Sequence, residues 1–239
     1  MSDSQRGYPQ FTFAYQPIVD VEKGEIVSFE ALVRGCQNEP AYTVLEGLSA
    51  EQVNRFEKES RLKAIALAVQ LGVQCHLNLN MMPNTISGDD AAPLDETVAA
   101  GVLQGLLPEQ LILEMTENDI IKNFSRFKQR VAQCRAIGVK FAIDDFGAGY
   151  SGLNLLVEFQ PDILKLDMAL IRNIRSHGPR QAIVRGIFRT CEDLGIDVLA
   201  EGVETVAEYE WLYGEGIVLF QGYLFARPGF ESLPVAHFP

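Results

Sequence analysis

The chain has 239 residues, with 32 acidic and 20 basic side chains and a formal net charge of −12. At 47% hydrophobic and 22% charged it has the make-up of a folded globule, which excludes a disordered or low-complexity chain. The acidic balance excludes recognition of a nucleic-acid polymer through a basic surface, although a bound cation can reverse the local sign for a small anionic ligand.

The opening segment MSDSQRGYPQ is polar, lacks the apolar core of a secretory signal, and reads as an N-terminal tail over 1–10. Two apolar runs follow, FTFAYQPIV (11–19) and EIVSFEALV (25–33), split by Glu22, Lys23 and Gly24. That short separation predicts a hairpin, and so at least one antiparallel strand. Helical period then runs from Glu51 to Leu71 through Val53, Phe56, Leu62, Ile65, Ala66 and Val69. CHLNLN (75–80) reads as a strand and Ser87 to Pro93 as a polar loop. Strands LILEMTE (111–117) and VKFAIDD (139–145) flank a helix over Phe124 to Ile137, and ILKLDM (163–168) and DVLAEGV (197–203) flank a helix over Gln181 to Leu194. IVLFQGY (217–223) is the last strand, and the chain after Pro228 reads as a tail packed on the surface. Gly72, Gly138 and Gly195 stand where helices should end and strands begin.

Strands alternating with helices predict an α/β fold: a modified TIM (β/α)8 barrel with one antiparallel strand, forming a single domain over 11–239. An open doubly wound sheet is the alternative. No apolar run reaches 18 residues, so no membrane span is expected. Cys36, Cys75, Cys134 and Cys191 form no C-x-x-C pair and read as free thiols in a reducing compartment, the cytoplasm.

The chemistry is carried by polar residues inside apolar strands: Glu30, Asn78, Asn80, Glu114, Asp144, Asp145, Lys165, Glu201 and Gln221. Most lie toward the C-terminal end of a strand, which in a barrel is the mouth where several strands deliver side chains to one place. Buried carboxylates repel one another, and several of them converging with one lysine need a cation. Carboxylate and amide oxygens without His or Cys suit Mg²⁺, Mn²⁺ or Ca²⁺. Adjacent Asp144 and Asp145 point apart on an ideal strand but can share a centre where the strand ends and turns. A shared carboxylate would allow two metals, the arrangement that serves displacement at phosphorus. Glu117, Glu204 and Asp167 could each be an ordinary solvated or paired acid. The Gly-rich stretch from Asp145 to Gly152 could approach a phosphate or simply turn, and Arg34 could clamp a phosphate or stand as a surface charge.

At these residues the sequence resembles the EAL-domain family of cyclic di-GMP phosphodiesterases. The resemblance is carried by Gln16-Pro17-Ile18-Val19, Glu30-Ala31-Leu32-Val33-Arg34-Gly35, Asn80, Glu114-Met115-Thr116-Glu117, Asp144-Asp145-Phe146-Gly147, Lys165-Leu166-Asp167, Glu201-Gly202-Val203-Glu204 and Gln221-Gly222-Tyr223, in that order over roughly 11 to 228. It implies a barrel with one antiparallel strand and hydrolysis of cyclic di-GMP to linear pGpG with two Mg²⁺ or Mn²⁺ ions per site, Ca²⁺ binding but inhibiting. It implies Glu30, Asn80, Glu114 and Asp144 as ligands of one metal, with Asp145 bridging or holding the second together with Glu201. It implies Lys165 as the residue that orients or deprotonates the attacking water and Gln221 as a site residue supporting the water or substrate; buried and crowded by metals, Lys165 should have a lowered pKa. Gln16, Arg34 and Asp167 are implied on the substrate, and Glu204 as the glutamate that fixes the loop after Asp145. A homodimer, and a sensor or cyclase partner, are also implied.

Ala148, Ser151-Gly152 and Met81-Met82-Pro83 depart from the common family pattern, resemble its sensor-linked subgroup, and remove no metal ligand. A cyclic di-GMP receptor or protein-interaction module without turnover is the first alternative. A glycoside hydrolase is the second, weakened by a single tryptophan, Trp211, away from the expected mouth.

Overall fold

The computed structural model of the chain describes residues 8–84, 92–149 and 152–239. In chain order the elements are β1 (Phe11–Asp20), β2 (Glu25–Gly35), α1 (Ala41–Leu45), α2 (Ala50–Gln70), β3 (His76–Asn80), α3 (Ala92–Leu103), β4 (Leu111–Thr116), α4 (Phe124–Arg135), β5 (Lys140–Phe146), α5 (Gly152–Glu158), β6 (Ile163–Leu166), α6 (Met168–Ile171), α7 (Gly178–Leu194), β7 (Asp197–Ala200), α8 (Val206–Gly214), β8 (Leu219–Phe220) and β9 (Gly229–Phe230).

The sheet runs β2-β3-β4-β5-β6-β7-β8-β1 and closes through β1 on β2, with β9 attached to β1. Strands β2 to β8 are parallel and β1 is antiparallel to both of its barrel neighbours. The hairpin sets that exception. Asp20 accepts the N–H groups of Glu22 and Lys23, both at 3.1 Å, and Gly24 takes φ +67°, which turns β1 back into β2 within four residues. The closed barrel is the one the sequence predicts, not the open sheet.

Side-chain alternation divides each strand between two environments. On β4, Leu111, Leu113 and Met115 join the large apolar layer between sheet and helices, while Ile112 faces the lumen with Ile18, Ala142, Ile163 and Leu199. Two residues further along from those lumen positions stand Glu114, Asp144, Lys165 and Glu201, so the polar residues form the layer above a small apolar plug. Gly72, Gly138 and Gly195 end their helices at φ +84°, +98° and +69°, as read from the sequence.

Several features go beyond that reading. Helices α1, α3, α5, α6 and α8 are short or lack a clean apolar stripe, so periodicity did not reveal them. Much of the loop expected at 87–93 lies outside the described residues, and α3 begins at Ala92 within it. The chain after Pro228 is not merely a surface tail: Phe230 pairs with Ala14 and Gly229 with Tyr15. Packing also begins before residue 11, because Tyr8 is buried against Phe11 and Phe56. Residues 1–7 of the expected tail lie outside the described residues.

Candidate active site

Lys165 is the floor of the site. It stands on β6 with no exposed surface, and its Nζ lies 2.6 Å from Glu201, 3.0 Å from Glu114, 3.0 Å from Asp144 and 3.4 Å from Glu30. Strands β2, β4 and β5 and the residue after β7 therefore bring four carboxylates to one ammonium. Glu114 is tied from below by Asn78, which donates to its Oε1 at 2.6 Å and accepts from Ser28. Glu30 accepts from Gln221 Nε2 at 2.7 Å. Gln221 also contacts Gln16 at 3.4 Å, and Gln16 donates to the Ala226 carbonyl at 3.0 Å. Among the described residues, Gln221 Oε1 is buried with no hydrogen-bond partner.

Asp145 completes the acidic group by backbone geometry. It takes φ +54°, and the β5–β6 register slips between Ile143 and Phe146. An aspartate in the left-handed region is strained by roughly 1–3 kcal/mol, a cost that the surrounding contacts must hold in place. The turn overrides the up-down alternation of the strand and puts both aspartates at one centre. Two triads result, Glu30-Glu114-Asp144 and Asp144-Asp145-Glu201, each with ligand atoms within 4.8 Å of one another. Asp144, rather than Asp145, is the carboxylate the two triads share. Asn80 ends β3 in register with Glu114, at the rim of the same face.

The electrostatics show the strain of so many acids around one cation. Burial raises the Glu114 pKa to about 8, with Glu30 and Asp144 adding to it and Lys165 opposing. Burial, then Asp144 and Asp167, raise Asp145 to about 6. Burial also pushes Glu201 well up, against Lys165. For Asp144 burial is outweighed by Lys165 and by hydrogen bonds from Lys165, Glu201 and the Asp145 N–H, so its pKa is low. For Lys165 the balance without metals is the reverse of the one expected with them. Burial would lower its pKa, but Asp144, Glu114, Glu201 and Glu30 outweigh burial and raise it well above the ordinary value. Without metals beside it, the carboxylates win.

A cleft of about 410 Å³ opens above the group, lined by Gln16, Glu30, Asp144, Asp145, Glu201 and Gln221, with Leu32, Asp167, Met168, Glu204 and Tyr223 at its walls. Asp167 caps α6 by accepting the Ala169 N–H at 2.7 Å. Arg34 is not among the lining residues; it donates to its neighbour Val33's carbonyl at 2.8 Å and feels Tyr223 and Glu30 only at longer range.

A correction concerns the loop after Asp145. Among the described residues Glu204 pairs with Arg172 at 3.0 Å and does not reach that loop. The buried carboxylate of Glu117 does: it accepts the N–H of Gly147 at 3.2 Å and also that of Gly149. Glu117 lies just past β4 and β5 runs beside β4, so three residues beyond Glu114 is the position that faces the loop. In the sequence the Glu114-x-x-Glu117 spacing was the available signal.

A family model described as the EAL domain matches residues 4–228. The blue light- and temperature-regulated antirepressor BluF of Escherichia coli K12 is 36% identical over 232 residues, 95% of this chain and 56% of that protein. The cyclic di-GMP phosphodiesterase RocR of Pseudomonas aeruginosa is 30% identical over 240 residues, 96% of this chain and 59% of RocR. The chain thus spans a little over half the length of these two relatives. The c-di-GMP-bound crystal structure of a standalone versatile EAL protein from Vibrio cholerae O395 superposes with a TM-score of 0.89 at 43% identity, covering 95% of this chain and 96% of that one. A manganese and cy-diGMP complex of Klebsiella pneumoniae BlrP1 superposes with a TM-score of 0.87 at 42% identity, covering 95% of this chain and 60% of that one.

Proposed function

This chain belongs to the EAL domain family, and on that premise we propose that it is a metal-dependent phosphodiesterase that hydrolyses cyclic di-GMP to linear pGpG, lowering a bacterial second messenger in the cytoplasm. The observation that carries this reading is the pair of carboxylate triads sharing Asp144 at the cleft floor. The donor set fits divalent cations. It is all oxygen, and burial raises two of its acids, Glu114 to about 8 and Glu201 well above the ordinary carboxylate value, a cost that a bound cation would relieve.

Glu30, Asn80, Glu114 and Asp144 would hold one Mg²⁺ or Mn²⁺, and Asp144, Asp145 and Glu201 the other. When bound, the two cations would supply positive charge to the phosphate oxygens and lower the pKa of a water. The chain's own residues do the rest. Lys165, held as an ammonium by four carboxylates, fixes their spacing and would orient the attacking water. Gln221 holds Glu30 with its amide N–H and keeps a free acceptor for a water proton. As the water oxygen bonds to phosphorus, the P–O3′ bond breaks and O3′ takes up a proton. Gln16 and Asp167, which line the cleft, would border the substrate, and Arg34 would have to leave the Val33 carbonyl to reach its phosphate. Ca²⁺ should bind this oxygen set without supporting turnover, and the active form should be a homodimer, with any sensor or cyclase partner supplied from outside these residues.

The likeness to BluF favours one second reading, an EAL module that acts by binding a partner without turnover. Turnover of the wild-type chain with Mn²⁺ separates the two, and Glu30→Ala then tests the metal assignment. Hydrolysis should fall below about a hundredth of wild type, in keeping with loss of a metal ligand. A variant that keeps more than a tenth of the turnover would remove Glu30 from the reaction.

A further inference from the structure

Beneath the rim residue Asn80, on the outer side of the barrel, lies an ion pair that the reaction does not call for. Glu57 and Arg61 are one turn apart on α2, both buried, with Arg61 Nη1 2.5 Å from Glu57 Oε1. Arg61 Nε donates to Thr97 of α3 at 3.2 Å. The same Glu57 Oε1 accepts the main-chain N–H of Met82 at 2.6 Å.

A buried ion pair between two helices and a barrel is a poor stabiliser, because desolvation offsets the attraction and an apolar pair of equal volume usually serves as well or better. An apolar pair cannot accept the Met82 N–H. That bond is charge-assisted and therefore strong. It falls two residues beyond Asn80, where β3 has ended and the strand ladder no longer fixes the chain. On the other side, the Met81 N–H is held by the Glu114 carbonyl at 2.8 Å. Pro83 follows Met82 and restricts its backbone further. The two residues after Asn80 are thus pinned from both neighbouring elements, which fixes how far Asn80 reaches over the site.

We propose that Glu57, held by Arg61, is a positioning residue that sets the metal affinity of Asn80 through the Met82 N–H. This rests on the reading of Asn80 as a metal ligand given above, and it adds a determinant outside the cleft.

The test compares two double variants of the full chain. Both lose the ion pair, but only one keeps an acceptor at position 57. Glu57→Leu with Arg61→Met should raise the Mn²⁺ dissociation constant, measured by calorimetry, about tenfold or more, the usual cost of losing a group that orients a ligand. Glu57→Gln with Arg61→Met should stay within about threefold of wild type, because its amide oxygen can still accept the Met82 N–H. The KM for cyclic di-GMP at saturating Mn²⁺ should be unchanged in both. Equal Mn²⁺ affinities in the two variants would overturn the inference. Asn80→Ala is the control: if it binds Mn²⁺ as wild type does, Asn80 is no ligand and the underlying reading falls instead. If the leucine variant does not fold, hydrogen exchange in the wild type decides. Mn²⁺ should slow exchange of the Met82 amide, since coupling between two sites is reciprocal; an amide whose exchange is unaffected by Mn²⁺ would overturn the inference.

Discussion

Asp145 and Glu114 set the pH response of the site. Their carboxyls titrate near 6 and near 8 when no cation is present, with burial the main cause in each. Both pKa values are raised, so the folded chain keeps protons that the unfolded chain has already released. The metal-free protein therefore loses stability as pH rises through 6 and then 8, and a cation must displace those protons to bind. Mn²⁺ affinity should fall about a hundredfold or more between pH 8 and pH 5, with proton release on binding at pH 7, both readable by calorimetry. An affinity flat across that range would mean that these two carboxyls are not ligands. At this scale the sequence was informative about identity and less so about state. Glu30, Glu114, Asp144, Lys165 and Glu201 stood out because a charged residue in an apolar strand has to be explained. The direction of the Lys165 shift did not, because it depends on how many carboxylates surround one ammonium in space. The exchange of Glu204 for Glu117 has the same origin: both are acids three residues past a candidate ligand, and only the pairing of β4 with β5 tells which one faces the loop.

Individual elements hold these residues by close backbone approach. Gly222 follows Gln221 where the chain leaving β8 crosses the loop after β7, and a Cβ there would overlap the main chain of Val203. The Val203 N–H donates to the Gln221 carbonyl at 3.1 Å, so the crossing also aligns Gln221 with the Glu201 loop. Gly222→Ala should cost about 2–3 kcal/mol in a urea melt, as overpacking against rigid backbone does, and should lower turnover as well. A change within about 0.5 kcal/mol, typical of an open surface site, would contradict the close crossing. Glycine in Gln221-Gly222-Tyr223 was visible in the sequence, but its reason was not, since the clash is with a segment nineteen residues earlier. Strand β5 gives the complementary case. The two aspartates were legible as a pair that must turn to converge, and the turn is present at Asp145 as a positive φ and a register slip.

Across the whole molecule, the barrel concentrates cost at one end and stability elsewhere. Apolar layers inside and outside the sheet carry the fold, while the mouth gathers five carboxylates against Lys165. A cation that binds only the folded chain should therefore stabilise it, by about 2.7 kcal/mol at a free concentration of a hundred times its dissociation constant. The melting temperature should rise with Mn²⁺ at pH 7.5 and return with EDTA; a melt indifferent to Mn²⁺ would deny the site its cation. Closure of the barrel and the presence of an antiparallel strand were legible from strand count and a short hairpin. The β9 addition and the docking of Tyr8 were not, because two residues and a lone aromatic carry no period.

The most direct test of the account is turnover of cyclic di-GMP by the purified chain, with Mn²⁺, Mg²⁺, Ca²⁺ and EDTA in parallel. Linear pGpG should form with Mn²⁺ and Mg²⁺, and none should form with Ca²⁺ or EDTA. Tight binding of cyclic di-GMP with no pGpG under any of these ions would contradict the phosphodiesterase and leave a receptor in its place.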